Sequence, residues 1–223
     1  MDLKEKIIRT AYELFSEKGY EKTTVAEIIN ISETSKGGFY HHFKSKDDLL
    51  EAITMTYFDD LLEAYQEILQ KNDRSIIDIL NSVLVTINQY KIDQVEEWPK
   101  MRKVFSFSGN NTILRKISDQ FQLMTTELYK KLIEKGINEG IFKVEYPEMV
   151  AGLWTREIIW IYSLAGKLIY EMDTEKYEIF NNQLNFTEKL INAILGFGDN
   201  KIRIKDIALA YVEKSRKLLT LLR

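Results

Sequence analysis

Residues 24–46, which read TVAEIINISETSKGGFYHHFKSK, constrain the fold of this chain more than any other segment. Thr24 and Glu27 have the spacing of a capping box, in which a hydroxyl and a carboxylate bind free amides at a helix start. A helix is therefore predicted to begin there. The polar cluster from Asn30 to Thr34 favours a turn, and a second short helix is predicted over SKGGFYHH.

The second helix contains two adjacent glycines, Gly37 and Gly38, and each costs a helix about 1 kcal/mol relative to alanine. We interpret the two glycines as positions where DNA can approach the helix closely, because a backbone without side chains can press against a base edge or a phosphate. From Thr34 to Lys46 the chain has three lysines and no acid, although the whole protein has 31 basic and 34 acidic residues. This local positive charge predicts DNA binding.

Two motifs resemble those of the TetR-type transcriptional regulators of bacteria. IIRTAYELFSEKGYEKTT follows the family's first-helix pattern, SKGGFYHHFKSKDDL follows its second pattern, and the resemblance covers residues 3–55. The departure lies in the turn, where the family usually has Ala-Gly-Val and this chain has Ser32, Glu33 and Thr34.

The resemblance implies roles for individual residues. Lys36 and Gly38 are expected to face base edges, with Tyr40 near a thymine methyl or a phosphate. The spacing of Ser45 and Asp48 marks the next helix start, whose free amides attract phosphate. Phe39 and Phe43 are expected to pack inward. The predicted DNA-binding residues are Thr24, Ser35, Lys36, Gly37, Gly38, Tyr40, His41, His42 and Lys46.

Other chemistries find little support in the sequence. His41 and His42 are adjacent and point about 100° apart on a helix, so no metal site is predicted for them. Zero cysteines exclude disulfides and thiolate metal sites. The chain has no glycine-rich nucleotide loop and no G-x-S-x-G. We therefore predict neither an enzyme nor a cofactor.

No targeting or membrane segment is predicted. The N-terminus, MDLKEKII, lacks the apolar run of a signal peptide, so a cytoplasmic location is expected. The most apolar region, 154–170, is interrupted by Arg156, Glu157 and Lys167 and falls short of the roughly 20 apolar residues that a membrane span needs.

An all-α fold is expected, because only two prolines occur and no strand-like alternation persists. In the first helix, the spacing of its apolar residues predicts one buried stripe of Leu3, Ile7, Ala11, Leu14 and Phe15, ended by Gly19. Later helices are predicted over 45–70, 74–92, 98–107, 111–138, 147–171, 174–196 and 203–222. We expect a three-helix helix-turn-helix DNA-binding domain over 1–46 and a larger helical ligand-binding and dimerisation domain over 47–223.

The resemblance implies that the larger domain holds an effector pocket and that its last two main helices form a four-helix bundle with a second subunit. We predict that this interface uses Phe180, Leu184, Thr187, Ile191, Ile194 and Leu195, together with Val150, Leu153, Ile158, Ile161 and Leu168. The predicted effector contacts are Trp98, Phe105, Tyr129, Trp154 and Glu157. Acidic neighbours suit a lipophilic cation, whereas Arg156 equally permits an anion.

The last segment, 198–223, is predicted to form an extra basic amphipathic helix, with seven Lys or Arg against two acids from 200 to 223. Its apolar stripe is expected to pack on the body or on a partner subunit, and its charges to form a solvated face. A membrane-surface role is the alternative reading.

The function predicted from these observations is that of a homodimeric repressor. It would bind a roughly palindromic double-stranded DNA operator and be released by a small-molecule effector, with hydrophobic molecules among the candidates. The alternatives are a helical small-molecule carrier and a protein-binding adaptor, and activation instead of repression also stays open.

Overall fold

A computed structural model describes residues 2–70, 74–105, 111–198 and 201–221. This part of the chain is helical and contains no strand, which confirms the all-α prediction. A single 3-10 turn, Val95–Glu97, lies between the fifth and sixth helices. The helices are α1 Leu3–Lys18, α2 Val25–Ile31, α3 Lys36–His42, α4 Lys46–Gln70, α5 Ile76–Asp93, α6 Trp98–Phe105, α7 Asn111–Asn138, α8 Pro147–Tyr170, α9 Thr174–Ile194 and α10 Lys205–Leu221.

The chain divides into two compact units. Unit 1 comprises Met1–Leu62 and Glu96–Gln120, and unit 2 comprises Glu63–Val95 and Phe121–Arg223. The functional domain boundary after residue 46 stays a prediction.

Unit 1 is built around one apolar cluster. Its buried members are Ile7, Ala11, Leu14, Phe15, Tyr20, Ile28, Phe39, Phe43, Leu49, Leu50, Ile53 and Val104. Gly19 ends α1 with a φ of +91°, as its stop signal predicted. Leu3, however, is 41% exposed, so the buried stripe of α1 begins at Ile7 instead.

In unit 2, α8 packs against α9, and α10 packs against α5, α8 and α9. The interface residues predicted from the sequence are mostly wrong, because they lie in the core of a single chain. The buried ones are Ile158, Ile161, Leu168, Phe180, Leu184, Thr187, Ile191 and Leu195. Both α8 and α9 have more than one apolar face. In the structure, α10 covers part of the apolar surface that the sequence pattern assigned to a partner subunit.

A tight reversal follows α7. The backbone N–H groups of Ile141 and Phe142 both donate to the Gly136 carbonyl, at 2.9 and 3.1 Å, and Gly140 has a φ of +73°. The Phe142 ring lies directly over Gly136, where a Cβ atom would stand 2.1 Å from it. Position 136 therefore accepts only glycine while Phe142 keeps its place.

Polar side chains fix the last helix on the body of unit 2. The Glu188 carboxylate accepts the N–H groups of Ile204 and Lys205, each at 2.8 Å, at the start of α10. Near the other end, the Arg216 guanidinium donates to the Leu168 carbonyl at 2.6 Å. The sequence prediction that this helix packs on the protein body is confirmed, and Leu222 of its predicted stripe lies outside the described residues.

Across the described ranges, no helix has the length and apolar character that crossing a membrane requires.

Candidate DNA-binding surface

The start of α2 depends on Thr24, whose hydroxyl accepts the Glu27 N–H at 3.2 Å. The predicted capping box is wrong in its second half, because the Glu27 carboxylate pairs with the Lys18 ammonium instead. That hydrogen bond to Lys18 holds the pKa of Glu27 below its usual value. Thr24 itself is exposed, so its hydroxyl is accessible at the surface.

The turn between α2 and α3 has a regular hydrogen-bonded geometry, although it contains no glycine. The Glu33 N–H donates to the Asn30 carbonyl at 3.2 Å, and the Thr34 N–H donates to the Ile29 carbonyl at 3.1 Å. These two bonds form a Schellman motif, which places Glu33 at the position usually taken by glycine. Glu33 has a φ of +49°, and its carboxylate lies 3.0 Å from the Lys6 ammonium.

The sequence of α3 gives it an inner and an outer face. The Ser35 hydroxyl caps its start by accepting the Gly38 N–H at 2.9 Å. Phe39 and Phe43 are buried, which confirms their predicted inward packing. The outer face carries the exposed predicted residues Ser35, Lys36, Gly37, Tyr40 and His41, with His42 partly buried.

The two glycines of α3 have different surroundings. At Gly37 an added Cβ would meet nothing closer than 3.9 Å. At Gly38 it would stand 2.8 Å from the Thr34 hydroxyl oxygen and 3.4 Å from the Leu3 side chain. Gly38 therefore has a packing reason within the chain, whereas Gly37 leaves open backbone at the surface. A DNA contact at either glycine stays a prediction.

Lys46 is held by the chain itself. Its ammonium donates to the carbonyls of Tyr20 at 2.7 Å and Thr23 at 3.0 Å, and it lies 4.1 Å over the Tyr20 ring. In this geometry Lys46 ties the start of α4 to the loop between α1 and α2. The DNA contact predicted for Lys46 stays a prediction.

The acids that follow the lysine run are engaged at the start of α4. The Asp48 carboxylate accepts the Lys44 N–H at 2.9 Å, and Asp47 accepts the Tyr20 hydroxyl. Burial and then the bond to Asp47 raise the pKa of Tyr20. Lys44 is exposed beside α3. It is absent from the predicted DNA-binding residues, although it belongs to the same run of lysines.

The two adjacent histidines of α3 contact each other. Their ring centroids lie 5.0 Å apart in an edge-on arrangement. Among the described residues, no three or more His, Cys, Asp or Glu side chains are grouped so that they could hold a metal ion.

Of the predicted effector contacts, the structure brings Tyr129 and Trp154 together. Their rings stack with centroids 4.8 Å apart and planes 15° apart, and both residues are fully buried. Neither the Tyr129 hydroxyl nor the Trp154 indole nitrogen has a hydrogen-bond partner within the described chain. Burial also raises the pKa of Tyr129.

The other predicted effector contacts lie elsewhere. Glu157 faces α9, where its carboxylate accepts from Gln183 at 2.7 Å and Thr187 at 2.8 Å. Trp98 belongs to α6 of unit 1 and is partly buried. The side chain of Phe105 lies outside the described part of the structure.

Comparison with known proteins decides the family. Residues 7–53 match the sequence model of the family described as bacterial regulatory proteins, tetR family. IcaR of Staphylococcus aureus (strain Newman), a negative transcriptional regulator of the biofilm operon, is 31% identical over 133 residues, which are 57% of this chain and 68% of that protein. The chain belongs to the TetR family. It is a helix-turn-helix, DNA-binding transcriptional regulator.

Two further similarities extend over most of this TetR-family chain. The transcriptional repressor KstR2 of Rhodococcus jostii (strain RHA1) is 26% identical over 181 residues, 77% of this chain and 85% of that protein. The structure also resembles that of a TetR/AcrR-family transcriptional regulator from Thermobifida fusca YX-ER1. That match has a TM-score of 0.56 and 24% identity over 86% of this chain and 98% of the other. At this identity, the structural likeness shows the fold alone.

Proposed function

We propose that this TetR-family regulator is a cytoplasmic repressor that binds a roughly palindromic operator through α3. The observation that carries the proposal is the outer face of α3. It exposes Lys36, Tyr40 and His41 while Phe39 and Phe43 anchor the helix in the core. The names of KstR2 and IcaR, a repressor and a negative regulator, support repression.

The proposed contacts separate into base readers and phosphate holders. Lys36 extends from the first turn of α3, where a lysine can donate to guanine acceptors in the major groove. Thr24 and Ser35 stand at the starts of α2 and α3, where hydroxyls and free amides attract phosphate. His41 and Lys44 are both exposed, and we assign further phosphate contacts to them.

We assign DNA binding to residues 1–46, and effector binding and dimerisation to 47–223. The proposed dimer face lies on α8 and α9, which pack together and leave large apolar side chains in solvent. These are Met149, Trp160, Tyr170, Tyr177, Ile179 and Phe186. A second copy docked there would allow two α3 helices to enter successive major grooves about 34 to 36 Å apart.

The proposed effector contacts centre on Tyr129 and Trp154. A buried hydroxyl and a buried indole N–H without partners each cost about 1–3 kcal/mol. A largely apolar effector that stacks on these rings and offers a hydrogen-bond acceptor would recover that cost. Release follows if the effector binds the DNA-free conformation more tightly than the operator-bound one.

The proposed function is tested by fluorescence anisotropy on DNA from upstream of the protein's own gene, against a scrambled duplex. We expect the upstream duplex to bind about 10³-fold more tightly, and Lys36→Ala to weaken that preference by about 10-fold or more, equivalent to 1–3 kcal/mol. Lys217→Ala, an exposed lysine on α10, is the matched control and should leave the preference unchanged.

Equal binding of both duplexes would leave the upstream operator without support. If Lys36→Ala and Lys217→Ala behave alike while the wild-type protein discriminates, then DNA is read by another surface and the role given to α3 is wrong.

A further inference from the structure

Helices α5 and α10 lie side by side in unit 2 and are joined by asparagine side chains. Asn81 donates to the Lys201 carbonyl at 2.9 Å and accepts the Arg203 N–H at 2.8 Å. Seven residues later, about two helical turns, Asn88 donates to the Ile207 carbonyl at 3.1 Å. These bonds lie within a groove of about 990 Å³ whose walls are α5, α10 and the segment that precedes α10.

The lining of this α5–α10 groove mixes apolar and uncharged polar side chains. Its apolar floor consists of Ile77, Ile92, Ile207 and Tyr211, together with Val85, which is 52% exposed. The uncharged polar residues are Asn81, Ser82, Thr86, Asn88 and Gln89. The exposed part of the floor gains free energy when an alkyl chain covers it, at about 25 cal/mol per Å² of apolar surface buried.

The rim of the groove carries a net positive charge in a protein whose formal net charge is −3. Asp206 pairs with Arg203 at 3.1 Å, so these two charges offset each other. The Asp78 carboxylate accepts the Ser75 hydroxyl at 2.7 Å and keeps its charge. Arg74 and Lys214 outnumber this carboxylate, and Lys201 is not needed for the excess of positive charge. The rim cations are Arg74, Lys201, Arg203 and Lys214.

The groove is long. Asn81 lies opposite residues 201–203 and Asn88 lies opposite Ile207, so α5 and α10 run in the same direction. The lining residues of α5 extend from Ile77 to Ile92, a distance of about 23 Å at 1.5 Å per helical residue. This shape suits an extended chain better than a compact ring system.

We propose that the α5–α10 groove binds an amphipathic anion, an alkyl chain that ends in a carboxylate. The alkyl chain lies along Val85 and Ile207, and the carboxylate meets the cationic rim. The groove shares no residue with the Tyr129–Trp154 stack, so this is a second ligand site beside the effector contacts. Its occupant is anionic, whereas the stacked pair recognises an acceptor through uncharged donors.

Isothermal titration calorimetry of the full chain with sodium decanoate tests this proposal, with decyltrimethylammonium as the cationic probe of equal chain length. Both are used below their micelle concentrations. We expect decanoate to bind at one site per chain and decyltrimethylammonium to bind at least 10-fold more weakly. Val85→Asp places a carboxylate on the floor and should abolish decanoate binding.

Two matched controls separate the groove from general effects. Leu123→Asp changes an equally apolar side chain, 72% exposed on α7, and should leave binding intact. The double variant Arg74→Gln, Lys214→Gln should weaken decanoate binding about 10-fold. The control double variant Lys189→Gln, Lys217→Gln removes the same charge from exposed positions outside the groove and should leave decanoate binding unchanged. Circular dichroism of each variant confirms that its helices are intact.

Three results would overturn the proposal: no heat of binding with decanoate, equal binding of the two probes, or undiminished binding in Val85→Asp. In the last case the ligand occupies another part of the chain. Operator affinity is measured separately by anisotropy, so failure of the groove leaves the proposed repressor function standing, and failure of operator binding leaves the groove tested.

Discussion

Glu33 holds a left-handed backbone conformation that only glycine adopts without strain. Its φ of +49° closes the Schellman motif between α2 and α3, and such a conformation costs a residue with a side chain about 1–2 kcal/mol. The ion pair with Lys6 offsets part of this cost, by at most about 1 kcal/mol for an exposed pair. The helix-turn-helix therefore carries strain at its turn.

We expect Glu33→Gly to be more stable than Glu33→Ala by about 1 kcal/mol, because both variants lack the carboxylate and only alanine opposes a positive φ. Urea unfolding of the two variants measures the difference. At the exposed helical position Glu178, the order should reverse, since glycine costs a helix interior about 1 kcal/mol relative to alanine. The same order at both positions would contradict strain at Glu33.

Lys91 is a second residue that is held at a cost in free energy, here because of its charge. The face of the Tyr162 ring lies 3.6 Å from its ammonium and favours the cation, whereas burial lowers the pKa of Lys91 from 10.5 to about 8. Between these two values the unfolded chain binds more protons than the folded one. The free energy of unfolding therefore gains a contribution from Lys91 as the pH rises from about 8 to 10.5.

Lys91→Met should remove this pH-dependent contribution and increase stability at pH 7, where the folded protein otherwise holds a desolvated charge. Urea unfolding from pH 7 to 10.5 compares the variant with the wild type. Lys217→Met, at an exposed position of α10, should keep the wild-type pH dependence. If the free energy of unfolding of Lys91→Met changes with pH as it does in the wild type, Lys91 stays well solvated in the folded protein.

Among the elements, α10 depends most clearly on buried polar contacts. Glu188 accepts two N–H groups at the helix start, and the neighbouring Asn192 both donates to and accepts from Ile202, at 2.9 Å each. Hydrogen bonds to a charged acceptor are roughly twice as strong as neutral ones. The position of α10, and with it one wall of the groove, therefore rests on the Glu188 charge.

We expect Glu188→Gln to loosen α10 by about 1.5–3 kcal/mol, the usual contribution of a hydrogen bond to a charged group. Hydrogen exchange followed by mass spectrometry should show faster exchange in peptides from 205–221. Peptides from α1 should not change. Glu178→Gln, an exposed change on the same helix as Glu188, serves as the control. Uniform acceleration along the chain would indicate general destabilisation instead.

For the whole molecule, the dimer is the feature on which palindrome recognition depends. We expect the wild-type protein to have twice its chain mass of 26.2 kDa by light scattering. Trp160→Glu with Phe186→Glu should give the single-chain mass and weaken operator binding, because both side chains are about half exposed, at 48% and 58%, on the paired helices. Leu123→Glu should remain dimeric. A double variant with the wild-type mass would move the interface elsewhere.

Whether a contact could be predicted from the sequence depends on how far apart along the chain the two residues lie. The starts of α2, α3 and α4 were predictable because Thr24, Ser35 and Ser45 each bind an amide three residues on. Lys46 reaches carbonyls more than twenty residues away, and no local pattern reveals that contact.

The apolar faces of α8 and α9 show the same limit at a larger scale. Their apolar residues were assigned to a dimer interface, because periodicity gives no sign of which stripe is buried within the chain and which is left for a second copy. Contacts of this kind become visible only once the helices are packed.

The contact between Gly136 and Phe142 has a consequence for how relatives of this protein diverge. With 2.1 Å between a hypothetical Cβ and the aromatic ring, position 136 cannot change while the ring at 142 is present. A lineage can place a larger residue at 136 only after the ring at 142 has shrunk, so intermediates must pass through glycine facing a small side chain, a cavity-bearing state. We expect an alignment of related chains to show these two positions changing together and in that order.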